Sequence, residues 1–512
     1  MRLGRLLAAV VLIGAIALTG GAASADDGTT GATGSGMGDM GGMTTDPDGT
    51  MTMPASHLQT QIDHMVAGSS LLVPDGTYVG SLRIDIPITL VGEGHPTLDG
   101  GGMGSGLRIT APDVTVRGFD IQGGGRGPVG SPSGVMIEHA DRARVEDVHI
   151  QDCYIGITVR GSDDVVIDGV SIRGEGMISG ELHVVDPEED AGHDMGDMAP
   201  AAQIRGDGIW LWNAVDPIVR NSTIATVRDG IYLSYGTGAL LEGNTITDSR
   251  YAIHDMYAAD VTVRAQTLRG NLSGVVLMYG GPVMVEDSTI VESGSPSTGF
   301  GILVKDAGGV EIARNVIADN RVGIHMDDAG RTEVAPNRVV SNTIAMNQIG
   351  VLLYPSADAT FTGNGFVENS TQVTLGGKGF TQVAWTENGV GNYWSDYSGF
   401  DAAGDGTGDL AYTESGRMSQ LLAEEPILLA LASGPAFRLL SSVEDKWSSS
   451  DPIVMDESPL VSSQGPALRG DHLGERVPLW IPGLLLTVGG GWLLFRARRP
   501  VRRSTKAVAA HA

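Results

Sequence analysis

The sequence predicts an all-β protein, a right-handed parallel β-helix wound as a solenoid of about 22-residue coils. Three observations carry this. Small residues recur at Gly134 and Gly156, at Gly208, Gly230, Ala252 and Gly274, and at Gly301, Gly323 and Gly350. Their spacing is 22 inside each group except for 27 at 323→350; it is also 27 at 274→301, and an insertion separates 156 from 208. Within each unit, short β-rich runs such as Ile231–Ser234, Leu240–Glu242 and Thr245–Thr247 alternate with period two and show no helical period. Finally, 75 glycines against 5% aromatic residues describe a chain that turns often and lacks bulky core layers. A unit this short cannot bury its apolar side alone, so stacked units must share one continuous core.

The elements follow in chain order. Residues 1–25 read as a cleaved signal peptide, with Arg2 and Arg5 before the apolar stretch Leu6–Leu18 and a small-residue site at Ala23-Ser24-Ala25. Residues 26–65 are rich in Gly, Thr and Met without a packing pattern and are expected to be a disordered, Met/His-rich tail. The β-helix is expected over 66–390, opened by the stretch 71–94 and interrupted by a loop at 174–206. Asparagines at 221, 244, 315, 337 and 364 recur about fourteen residues into the unit, where turn side chains can hydrogen-bond from rung to rung. Residues 391–476 form a C-terminal capping module and linker. Residues 477–495 lack any charge and are long enough for a transmembrane helix. The basic tail 496–512, with Arg496, Arg498, Arg499, Arg502, Arg503 and Lys506, marks its cytoplasmic side. The expected product is a single-pass cell-membrane protein with its bulk extracytoplasmic.

Charge and cysteine content narrow the function. The 512 residues carry 33 basic and 61 acidic side chains, a net charge of −28. Such a field repels nucleic acid and attracts cations. Cys153 is the single cysteine, which excludes a disulfide scaffold, a cysteine zinc site and an iron–sulfur cluster.

Methionine and histidine are placed unevenly. The tail holds Met37, Met40 and Met43, and the inserted loop holds His193, Met195 and Met198. Both segments carry the tetrapeptide Met-Gly-Asp-Met, at 37–40 and at 195–198. A segment without a core has no packing use for thioethers, and thioether with imidazole suits soft Cu(I), held transiently. Compositional drift in a low-complexity tail is the competing account. The repeat register adds a second set. Ile209, Leu211, Ile231, Leu233 and Ile253 face inward, so Trp210, Trp212, Tyr232, His254, Met256 and Met278 face outward on rungs about 4.8 Å apart. His254, Met256 and Met278 thereby converge toward one ion beside an aromatic strip. The alternative is that the inserted loop simply covers this face. Asp401, Asp405 and Asp409 lie in a Gly-rich acidic loop spaced rather like a calcium site, with a solvated turn as the default.

No enzyme is expected. The chain has only four lysines, no nucleotide loop and no Ser/His/Asp order, and Asp163/Asp164 and Asp327/Asp328 are neighbours that alternate faces on a strand. A polysaccharide lyase or hydrolase stays a minor alternative, should such pairs meet at turns. A cell-surface glycan-binding protein is the main one, with Trp210, Trp212 and Tyr232 as stacking platforms.

The chain also resembles the NosD family, extracytoplasmic β-helix proteins involved in maturing nitrous oxide reductase. The resemblance rests on PDGTYVGSLRIDIPITLVGEGHPTLDGGG, GDGIWLWNA (206–214), RDGIYLS, YAIHDMYAADVTV (251–263), GNYWSDYSGFDAAGDGTGD (391–409) and DESPL (456–460). It implies a partner ABC transporter with ATPase and permease, a copper chaperone, and copper supply to nitrous oxide reductase. The family's His-x-Met-Tyr element corresponds to His254, Met256 and Tyr257.

Overall fold

The computed structural model describes residues 44–45, 51–125, 127, 129–174, 206–295, 298–327, 335–377, 381–415 and 452–469. The signal peptide, Met37, Met40 and Met43, the loop residues His193, Met195 and Met198, and the apolar run 477–495 lie outside the described residues.

The chain winds as a parallel β-helix with three strands per coil. One wall is a twelve-stranded parallel sheet from Leu82–Ile84 to Thr371–Leu375. The other two walls join into a 26-stranded sheet through the long strands Thr115–Gln122 and Arg144–Gln151. These strands bend at Gly118 (φ +73°) and Asp147 (φ +52°) and so belong to both walls.

Register explains the core. Ile157, Ile209, Ile231, Ile253, Val275, Ile302, Ile324 and Val351 pair in sequence down the first wall, each fully buried. Columns led by Val145 and Ile150 do the same on the other walls. Because strand side chains alternate, a one-residue slip would turn each column outward, so the apolar pattern fixes the register. The recurring small residue has a steric cause: a Cβ at Gly230 would lie 2.5 Å from the Ala252 carbonyl oxygen, and one at Gly323 would lie 2.6 Å from that of Gly350.

Two asparagine ladders run along the turns. Asn315, Asn342, Asn364 and Asn392 pass a side-chain hydrogen bond from rung to rung at 2.9–3.0 Å. Asn320, Asn347 and Asn369 form the second. Of the five asparagines expected in one column, Asn244, Asn315 and Asn364 occupy it. Asn221 instead donates to Asp168 at an exposed corner, and Asn337 accepts from the Val310 N–H at another turn.

Both ends of the solenoid correct the expected boundaries. Met51–Pro54 pairs in parallel with Thr77–Val79, and the helix Ala55–Asp63 sets Ala55, Leu58 and Ile62 into the core. Residues 51–65 are therefore ordered, not part of a disordered tail, and Met53 and Met65 pack against the core. An open coil end exposes apolar core and requires such a cap. At the other end, parallel pairing continues past 390 to Tyr393–Trp394. There Trp394 stacks between Phe366 (4.2 Å) and Tyr412 (4.3 Å). Asp456 accepts from the Trp394 indole (3.0 Å), the Asn392 backbone N–H (2.7 Å) and Thr386 (2.9 Å). The Asn-Tyr-Trp motif and the Asp-Glu-Ser-Pro-Leu ending thus meet as one cap.

Candidate functional site

The candidate residues His254, Met256 and Met278 stand on the twelve-stranded wall. Asp229–Ser234, Tyr251–Met256 and Ser273–Met278 are consecutive rungs. Tyr232, His254 and Val276 stand in one column; Ser234, Met256 and Met278 stand in the next. The structure therefore brings His254, Met256 and Met278 onto one small patch, as the repeat register requires. Met278 and His254 are buried, and Met256 is half-buried.

His254 is held on three sides. Its Nδ1 lies 3.0 Å from Asp229 Oδ2. Tyr232 stacks on its ring at 4.8 Å, and Tyr251 meets it edge-on at 5.2 Å. Asp229 is fully buried, and Arg250 grips it through two hydrogen bonds of 2.9 and 2.8 Å. Burial opposes the Asp229 charge, but Arg250 and His254 outweigh it and hold the carboxyl well below the usual carboxylate range. An ionised Asp229 accepts from Nδ1, so in the neutral imidazole the lone pair is on Nε2. That Nε2 is shut off from solvent and has no hydrogen-bond partner. A buried imidazole oriented by a carboxylate, with its far nitrogen free, is how metal-binding histidines are commonly prepared. The Tyr232 hydroxyl reaches the Met256 sulfur at 3.6 Å, fixing the thioether beside it. Nitrogen and thioether donors fit a soft monovalent copper ion. Cys153 adds nothing, since burial pushes its thiol up to about 11.

The aromatic strip divides in two. Trp210 and Tyr232 are half-buried and stack with His254 as a ladder, Trp210 to Tyr232 at 6.3 Å. Their ring faces are engaged inside the protein, which corrects their expected role as free platforms. Trp212 and Tyr257 are exposed, at 41% and 44%. Tyr257 belongs to an outer ridge with Tyr235 and Tyr279, stacked at 5.0 and 5.1 Å. All three have φ near +60°, a conformation that bulky side chains rarely adopt. The sequence reading found Tyr257 alone, although the 22-residue spacing of the three was legible.

The acidic loop does not gather its carboxylates. Asp401 turns back to accept the backbone N–H groups of Gly404, Asp405 and Gly406; Asp405 accepts from Thr407 and Asp409 from Ala402. Among the described residues, this trio is not one of the groups whose side-chain ligand atoms lie close together. The loop's own backbone takes up the negative charge.

Comparison with known families fits the patch. A family described as "Periplasmic copper-binding protein (NosD)" matches residues 188–399, the stretch that holds His254, Met256 and Met278. A "Probable ABC transporter binding protein NosD" from Pseudomonas aeruginosa is 28% identical over 418 residues, 79% of this chain and 87% of that one. Its namesake from Stutzerimonas stutzeri is 29% identical over 405 residues, 76% and 86% of the two chains. Over most of its length the chain is similar to these NosD proteins. Solved structures similar to it include a mannuronan C-5 epimerase A-module from Azotobacter vinelandii, with TM-score 0.44, 13% identity and coverage of 64% and 94%. Another is an endopolygalacturonase from Stereum purpureum, with TM-score 0.38, 14% identity and coverage of 64% and 100%. No helix among the described residues is long and apolar enough to cross a membrane.

Proposed function

We propose that the protein is a non-catalytic, extracytoplasmic accessory protein that holds Cu(I) as cargo for assembling the copper centre of nitrous oxide reductase. The carrying observation is the solvent-shielded, unpartnered Nε2 of His254, backed by Asp229 and set on the same face as Met256 and Met278. His254 provides the nitrogen, Met256 and Met278 provide thioethers, and copper brings no redox step here because it is carried rather than turned over. The family description as copper-binding and the relatives' naming as transporter-binding proteins support the reading. An ABC transporter and a copper chaperone are its proposed partners. The Met-rich segments around Met37–Met43 and His193–Met198 would feed the patch, and the run 477–495 would tether it beside the permease.

The test is a Cu(I) competition titration of the purified full chain and of a His254→Ala, Met256→Ala variant. Binding of one equivalent that disappears in the variant supports the reading. Unchanged binding in the variant moves the site elsewhere, and absence of Cu(I) binding in the full chain overturns it in favour of a glycan-binding role.

A further inference from the structure

A second cluster of metal-binding side chains stands on a different wall, outside the stretch that matches the family. Thr97, Asp120, His149 and Ser171 are register partners on successive rungs. Their neighbours Phe119, Ile121, Val148 and Ile150 fill the core, so Asp120 and His149 project outward. His95 reaches the same spot from the turn before Thr97, where Gly94 (φ +77°) and His95 (φ +60°) are both left-handed. A histidine in that conformation is uncommon, and here it swings the imidazole over Asp120.

The three groups face one another closely. His149 Nδ1 lies 3.0 Å from Asp120 Oδ1, and His95 Nδ1 lies 3.5 Å from the same oxygen. The two rings stack in parallel at 4.9 Å. On the far side, His95 Nε2 is 3.5 Å from Asp147 Oδ2. One donor atom from each of His95, Asp120 and His149 falls within 4.8 Å of the other two. Ligands of a tetrahedral ion with about 2.0–2.1 Å bonds sit roughly 3.3 Å apart, close to these spacings.

The competing account is a structural hydrogen-bond network around Asp120. His95 Nδ1 argues against it, because the atom is shielded from solvent yet makes no hydrogen bond, even toward Asp120. A network formed for stability would satisfy that nitrogen; a ligand set leaves it a lone pair. We propose that His95, Asp120 and His149 form a site for a divalent first-row transition ion, with Asp147 as the neighbouring carboxylate. Imidazole and carboxylate without thioether select Cu(II) or Zn(II) rather than Cu(I), and at equal availability Cu(II) binds more tightly. The site is therefore chemically distinct from the His254 patch.

The two are separable by experiment, because Cu(II) is paramagnetic and Cu(I) is not. The full chain, purified without a histidine tag, is titrated with Cu(II) and read by electron paramagnetic resonance. One signal with hyperfine structure from two nitrogens is expected, displaced by excess Zn(II). His95→Asn with His149→Asn is expected to weaken binding by more than the about 100-fold that loss of a supporting contact costs. His254→Ala with Met256→Ala leaves the signal in place. Circular dichroism checks that the variants fold; if the histidine pair does not, Asp120→Asn gives the same readout. A signal at the same midpoint in the folded histidine variant, or no bound Cu(II) in the parent chain, overturns the proposal.

Discussion

The imidazole of His254 lies 3.0 Å from an Asp229 carboxylate that Arg250 clamps with two hydrogen bonds. The contact links neighbouring rungs: Asp229 opens the strand beside the one carrying His254. A charged pair set into the surface of a sheet thus does for one histidine what packing does for core residues. It fixes the ring, the tautomer and the direction of the free nitrogen.

Replacing Asp229 separates positioning from binding. Asp229→Asn keeps the shape but removes the charge, and Cu(I) affinity is expected to fall by about 10–100-fold. It also breaks the ion pair between the fully buried Asp229 and Arg250, so stability should drop on the order of 3 kcal/mol. Competition titration and thermal unfolding read the two effects. Unchanged affinity would mean that His254 is not oriented by Asp229.

Asp255 points inward, between Leu233 and Leu277, and burial pushes its carboxyl up to about 7. One oxygen accepts the Ala258 N–H at 3.1 Å; the other has no partner. Because the folded value lies above the unfolded one, the folded chain holds a proton that the unfolded chain has lost between about pH 4 and 7. Stability attributable to this group therefore falls as pH rises through that window. Asp255→Asn should abolish the slope and raise stability at pH 8 by up to about 4 kcal/mol, measured by denaturant unfolding across pH. No gain at pH 8 would show that the carboxyl is ionised and satisfied.

His325 works in the opposite direction. It is buried between Phe300 (4.7 Å) and Tyr354 (5.0 Å), neither ring nitrogen has a partner, and burial pulls it down to about 3, with Lys305 and Arg321 adding repulsion. The unfolded chain takes up a proton below about pH 6.5 that the folded chain refuses. Stability from this group is thus complete above pH 6.5 and is lost as pH falls toward 3. His325→Phe should make the protein more resistant to acid while leaving Cu(I) binding unchanged. A variant that unfolds at the same pH as the parent would remove His325 from the account.

Asp456 holds the C-terminal cap. Asp456→Ala leaves the indole of Trp394 and the backbone N–H of Asn392 without their acceptor in a fully buried site. Each orphaned donor costs about 1–3 kcal/mol. A lowered melting temperature and faster proteolysis at the C-terminal end should follow, and an unchanged melting temperature would refute the cap assignment.

Much of the solenoid was legible because its cause is local. Glycine spacing reports the carbonyl oxygens that pass close to each coil, and alternation reports the inward columns led by Ile157 and Val145. The same arithmetic put His254, Met256 and Met278 on one face. It missed the helix Ala55–Asp63, since an end cap answers to an exposed core rather than to any repeat. It also missed His95, which joins Asp120 and His149 only because a left-handed turn bends it there.

By itself, the sequence determined the repeat, the strand register and the identity of the side chains on each wall, because strand geometry converts spacing directly into direction. The tertiary structure decided which of those side chains are exposed and which are held. Trp210 and Tyr232 became a half-buried stack, Asp401 closed on its own loop, and His254 was left with one free nitrogen. These outcomes depend on contacts between coils and on removal from water, quantities that no single coil contains.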